Sequence, residues 1–232
     1  MFRRTDHWDA SGSKPAQCSF DGEDGSPIFS GLNIGHISRA RASTYKDGQN
    51  KRECIINTFF DWLGVIDNIG GDIHENTLAF SEILLEGRIL STEKLRPELR
   101  ATIGAFVLQA AKDSMHLIDP RLDEYLRANG DLFESKEEVD AWNELLLARI
   151  SNLSLDRCLI VSSSGSIGLG PGNAVEGDII CIPLGCMSPV VLRPCENYYT
   201  LIGETYMHGF MHSEALKLLE EGSLKLENFE LH

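Results

Sequence analysis

The stretch from Gly165 to Glu214 constrains the fold more than any other part of the chain. Gly, Pro, Asn and Asp cut it into short apolar runs. Ile179-Ile180-Cys181-Ile182 form the first run, opened by Gly177-Asp178. Pro189 to Leu192 form the second, and Tyr198 to Ile202 the third. Runs this short between such breakers read as strands of a small antiparallel sheet or barrel. Gly185 and Met187-Ser188-Pro189 supply the first turn, and Glu196-Asn197 the second. With the β-rich run Arg157 to Ser162, strands are expected from Arg157 to Met207, with Ile180, Ile182, Val191 and Leu201 buried. Asp178 suits an Asx turn, in which a short carboxylate accepts backbone amides and fixes the start of a buried strand.

The chain before this stretch changes character twice. Gln17 to Phe20 and Pro27 to Leu32 flank Asp21-Gly22-Glu23-Asp24-Gly25, which predicts a β-hairpin. Leu32, Ile34 and Ile37 extend its second strand. Glu53 to Ile69 places Ile55, Phe59, Trp62, Leu63 and Ile66 on one helical face, and Gly70-Gly71 ends it. Further helices are expected over 76–86 (Ala79, Phe80, Ile83 and Leu84 inward), from Pro97, from Asp119-Pro120, and from the capping box Ser135-Lys136-Glu137-Glu138. After the strands, Ser213 is expected to cap a helix carrying Ala215, Leu216, Leu218 and Leu219. The acidic end from Glu220 to His232 is expected to fray. The order is hairpin, helices, strands, helix. It predicts an α+β fold: an N-terminal β-hairpin, a helical middle, and a small C-terminal antiparallel β-barrel or sheet closed by a helix. The expected divisions are 1–52, 53–152 and 153–232.

Charge and cysteine usage narrow the function. A net charge of −14 repels phosphate backbones, so no nucleic-acid partner is expected. The basic residues Arg39, Arg41, Lys46, Lys51 and Arg52 read as a solvated loop. No apolar run is long enough for a membrane span, and the start lacks the apolar centre of a signal peptide. A cytoplasmic location is the expectation. Cys18, Cys54, Cys158, Cys181, Cys186 and Cys195 contain no C-x-x-C pair. They read as reduced thiols, mostly buried, and no metal or cofactor is expected.

Several constellations invite a chemical reading. Gly165, Gly168, Gly170 and Gly172 suggest a phosphate loop, but Pro171 and Gly172 lead into a strand and no helix follows to aim its amide end at a phosphate. They read as turns. Ser166 lacks the G-x-S-x-G frame, and Ser162, Ser163 and Ser164 have no histidine nearby in sequence. His208 and His212 stand four apart, with Glu204 and Glu214 close by, a spacing that suits metal on a helix. Gly209 lies between them at a strand end, so no metal site is assigned. Arg193 and Glu204 flank apolar strands and are expected to pair across the sheet. A ligand carboxylate or a partner surface is the functional alternative for them.

The same residues resemble the C-terminal region of fungal heterokaryon-incompatibility (HET) domain proteins. The pattern is carried by Gly165, Gly168-Leu169-Gly170-Pro171, Gly177-Asp178, Gly185, Pro189, Leu192-Arg193-Pro194, Gly203-Glu204, Tyr206, His208-Gly209, Met211 and Glu214. Ala10-Ser11-Gly12 and Gly31 to Ile37 look like the family's middle region. Ser213 stands where the family tends to have glycine, which implies a helix cap in place of a turn. The resemblance implies a role in fungal allorecognition, programmed cell death and innate immunity. In the family that activity is attributed to an N-terminal HET domain, and this chain is expected to begin downstream of it. The expectation is a non-enzymatic regulatory or scaffolding region. Its partner would be a protein, or a HET effector domain in cis or in trans. Arg193, Glu204, Tyr206 and His208 are the binding candidates, with Gly165, Gly168, Gly170, Pro171, Gly177, Asp178, Gly185, Gly203 and Gly209 as structural turns. The alternative is an enzyme with a site between helical layer and barrel, metal-dependent through His208 and His212.

Overall fold

The structure, a computed structural model, describes residues 8–12, 14–20, 25–43, 51–70, 76, 79–80, 83 and 154–232. The chain divides into two compact units. One is Met1–Ala42 with Arg157–His232, and the other is Ser43–Asp156.

The first unit is a nine-stranded sheet in which every ladder is antiparallel. Its strands are β1 (Cys18–Phe20), β2 (Pro27–Ala42), β3 (Arg157–Ser162), β4 (Ile167–Pro171), β5 (Ile179–Pro183), β6 (Val190–Pro194), β7 (Tyr199–Glu204), β8 (Tyr206–Met207) and β9 (Leu226–Glu230). The pairing path is β7-β6-β5-β2-β3-β4-β8, and β1 and β9 also pair with β2. The expected hairpin is β1 with the start of β2.

Strand β2 runs for 16 residues, past Ile37 where the apolar pattern stops. Its apolar residues also break period two: Leu32 and Ile34 are two apart, Ile34 and Ile37 three. The register slips between Asn33 and Gly35 against β5, and between Ile37 and Arg39 against β3. Gly35 takes φ +132°, a value glycine adopts without a Cβ clash, and its N–H donates to Asn33 Oδ1 at 3.0 Å. The bulge re-aims the strand, so Leu32, Ile34 and Ile37 are all buried.

The apolar run in β5 is continuous because both its faces are covered. Ile180 and Ile182 enter a large core with Leu32, Ile34, Ile37, Ile160, Val191 and Met207. Cys181 enters a smaller one with Val190, Leu192 and Phe229. There the Phe229 ring lies 5.4 Å from Phe29 and 5.3 Å from Tyr199. Leu201 was expected inside but is 52% exposed. It stands opposite Leu192 on β7, which ends the pairing path and leaves that side chain uncovered.

The sheet does not close into a barrel. The two ends of the path, β7 and β8, have no ladder between them. Thr205 alone separates them in sequence. Its N–H donates to Pro189 O at 3.0 Å and its hydroxyl to Leu169 O at 3.2 Å, so one residue ties both sides of the seam.

Two expectations about the end of the chain are corrected. Helix α2 (Glu214–Glu220) is present, with Ala215 buried and Leu216 and Leu219 packed on the large core. Ser213 does not cap it through its hydroxyl. The residue sits in the left-handed region at φ +64°, and its hydroxyl donates back to His212 O. The turn that favours glycine is therefore kept, with serine in it. Nor does the tail simply fray. Leu226 to Glu230 pair with Ile28 to Leu32, and Phe229 is fully buried.

In the second unit, α1 spans Lys51–Asp67 and buries Thr58, Trp62 and Ile66. Leu63 is half-buried, and Gly70 follows at φ +86°. Asn76, Ala79, Phe80 and Ile83 are helical, the last three buried. The side chains of Ile55, Phe59 and Leu84 lie outside the described residues, as do the helices expected from Pro97, Asp119-Pro120 and Ser135. No helix among the described residues is long and apolar enough to cross a membrane.

Candidate functional site

The most developed polar cluster lies where β6 ends against the loop leading into β5. Asp178 is 1% exposed. Its Oδ1 accepts Arg193 Nε at 2.9 Å, and its Oδ2 accepts Arg193 Nη2 at 2.9 Å and the Val175 N–H at 2.9 Å. Arg193 Nη2 also donates to Asn173 O at 2.8 Å. The Asp178 carbonyl accepts the Ile37 N–H at 2.8 Å, and Gly177 N–H donates to Ile37 O at 2.9 Å. Both carboxylate oxygens thus have partners. The fork-on-carboxylate geometry is the strongest form of such a pair. The hydrogen bond to Asp178 pushes the Arg193 pKa further up. Asp178 accepts a backbone amide at this turn as expected, but from Val175 three residues before it, so the bond is not an Asx turn, and a guanidinium locks the carboxylate in place.

Arg193 therefore does not pair with Glu204. The carboxylate fifteen residues before it takes the guanidinium, while Glu204, opposite Val190, is exposed. Burial pushes the Cys186 thiol pKa up, and the Glu204 charge adds to that. Tyr206 is buried with its ring 5.9 Å from Trp8. His208 is half-buried and its N–H donates to Ile167 O at 2.9 Å. His212 is exposed, and its N–H donates to Glu214 Oε2 at 2.6 Å. Among the described residues no group of three or more His, Cys, Asp or Glu is arranged to hold a metal ion. The structure thus binds Arg193 to Asp178.

The glycines fall into two sets. Gly165, Gly177, Gly185 and Gly209 occupy turns at positive φ. Gly168, Gly170 and Pro171 lie within β4 and Gly203 within β7, so these are strand positions and not turns. At Gly168 the reason is proximity: a Cβ there would run into the Tyr206 carbonyl and Met207 Sδ. That closeness lets β4 pair with β8.

Residues 123–223 match the family model of the Het-6 beta-barrel domain. The match covers less than half of the chain and takes in β3 to β8 and α2. It fits a C-terminal region of heterokaryon-incompatibility proteins, as the Gly165-to-Glu214 motif implies. No curated protein and no solved structure matches the chain. Within the Het-6 segment, the motif residues Gly168, Gly177-Asp178 and Arg193 hold strands and loops together.

The thiols are more varied than expected. Cys158 and Cys181 are buried, Cys54 and Cys195 half-buried, and Cys18 and Cys186 exposed. Burial pushes Cys158 up to about 11 and Cys181 higher still, so both stay protonated at neutral pH. Sequence reasoning missed a cluster where β9 meets the start of β2. His232 Nε2 lies 2.8 Å from Glu230 Oε1 and 3.1 Å from Ser26 Oγ, and its ring is 4.6 Å from Tyr198. Ser26 Oγ also lies 3.4 Å from His232 Nδ1, so Glu230 and Ser26 share Nε2 rather than taking one nitrogen each as in a nucleophile–base–acid relay. The apolar spacing of Leu226, Phe229 and Leu231 was the available signal for this strand.

Proposed function

We propose that this chain is a non-catalytic regulatory or scaffolding region of a heterokaryon-incompatibility-type protein. The match of residues 123–223 to the Het-6 beta-barrel domain carries the reading. The Arg193–Asp178 pair supports it, because the cation best suited to grip a ligand anion is spent on holding the β5 loop. Under this reading the chain sets the state of an effector domain, joined to it or supplied by another protein. Glu204 and His208 are the contact candidates, since the first is exposed and the second half-exposed beside the β7–β8 seam. The test expresses the chain alone, and then fused behind a HET domain from a related protein, in a fungal cell. No toxicity is expected from the chain alone. Growth should be altered only when the effector domain is joined, and Glu204→Ala with His208→Ala should change the fused outcome without changing the expression level. Death from the chain alone would place the activity here and end the proposal.

A further inference from the structure

We infer that the Het-6 segment is not a folding unit by itself: its sheet is completed by strand β2, which lies before residue 43, and by β9, which lies after residue 223. The pairing path crosses from β5 to β3 only through β2. Without β2, the remaining ladders separate into β7-β6-β5 and β3-β4-β8. The edges of β3 and β5 would then lose their ladder partners and stand open to water and to pairing with other chains. Leu32, Ile34 and Ile37 also sit in the large core among Ile160, Ile180, Ile182 and Val191, so removing β2 empties its middle. The chain leaves the sheet at Ala42 and returns opposite it at Cys158, which makes Ser43–Asp156 the content of a β2–β3 hairpin loop. The folding unit is therefore discontinuous. Residues up to Ala42 and from Arg157 onward form one cooperative body, although the second unit lies between them in sequence.

Two native thiols report on the two sides of β2. Cys158 lies on β3 and Cys181 on β5, and both are buried. In the full chain, their labelling by a thiol reagent tracks the open population of each strand. Leu32→Ala on β2 is expected to raise both rates together by at least about thirtyfold, the lower end for a core truncation. Ile37→Val, a milder change, is expected to raise both by the same smaller factor. If Leu32→Ala unfolds the protein outright, the Ile37→Val ratio decides. A rise at one thiol with the other unchanged, or no rise at either, would show that the strands flanking β2 hold without it and would overturn the inference.

Discussion

Strands β5 and β9 both pair with β2 and both place a side chain in the smaller core, yet only β5 announces itself in the sequence. Ile179-Ile180-Cys181-Ile182 is apolar throughout because two cores cover it. Leu226-Glu227-Asn228-Phe229-Glu230 has one buried anchor among exposed and half-exposed residues. An edge strand draws its backbone partners from a neighbour already in place, so its own composition needs to supply little beyond one large ring. The difference is between a strand specified by its own pattern and one specified by the site it fills.

Removing that ring is the sharpest way to break the comparison. Phe229→Ala should cost about 3–5 kcal/mol of stability, the usual range for a buried phenylalanine. Because the sheet opens as one body, it should also speed the labelling of Cys181, which shares the small core, and of Cys158 in the large core together. Thermal unfolding followed with thiol labelling would show both. If stability and Cys181 labelling are unchanged, β9 is a dispensable tail and the two strands differ in kind.

The second test concerns what fixes β5 at its start. Arg193→Ala leaves the Asp178 carboxylate buried with one backbone amide for company. A severed buried pair costs about 3–5 kcal/mol, and since the Arg193 side chain is 37% exposed the expected loss is nearer 2 kcal/mol. The Asp178→Asn, Arg193→Ala double variant should recover part of it, because the stranded charge is gone. Denaturant midpoints measure each value. Equal losses in the single and double variants would mean that the charge was never the cost.

These two contacts also show where the sequence could and could not be read. The pairing of short runs, the turns at Gly185 and Glu196-Asn197, and the burial of Ile180, Ile182 and Val191 follow from breakers and apolar runs, which are local. The change from two to three residues between Ile34 and Ile37 is a legible trace of the bulge in β2. The partner of Arg193 was not legible. Two carboxylates, Asp178 and Glu204, stood near enough in sequence, and only the register of β6 against β5 and β7 separates them. The Ser26–His232 contact joins residues 206 apart, which no local pattern can announce. Leu201 failed for a related reason: its run looked buried, and its place at the end of the path decided otherwise.

Alkaline pH should weaken both cores that cover β5, since Cys158 lies in the larger and Cys181 in the smaller. The Cys158 thiol is raised from 9.0 to about 11, and Cys181 is raised further. The folded state therefore keeps protons that the unfolded state releases. Stability is fully present below pH 9.0 and falls as the pH rises through about 11 for Cys158. A shift of two units corresponds to about 3 kcal/mol as an upper figure. Cys158→Ala should flatten this part of the pH profile, measured as the slope of unfolding free energy between those limits. An unchanged slope would show that the thiol ionises freely in the folded protein.

The smallest expected effect lies just before α2. Ser213 holds φ +64° without giving the helix a side-chain cap. An L-residue in that region costs roughly 1–2 kcal/mol, whereas glycine costs only its extra freedom in the unfolded chain, about 0.5–1 kcal/mol. Ser213→Gly should therefore stabilise the protein by roughly 0.5 kcal/mol, and Ser213→Val should destabilise it by more than that, because branching at Cβ worsens the clash. The hydroxyl's bond to His212 O is local and exposed, so its loss subtracts little. The helix this turn launches packs Ala215, Leu216 and Leu219 on the large core, and Gly12 lies against Leu216 and Ser213. A strained turn here is thus held by packing on both sides, as β9 is held by its single ring. Melting temperatures of the two variants test it: if Ser213→Gly melts lower than the parent, the serine contributes something its backbone angle conceals.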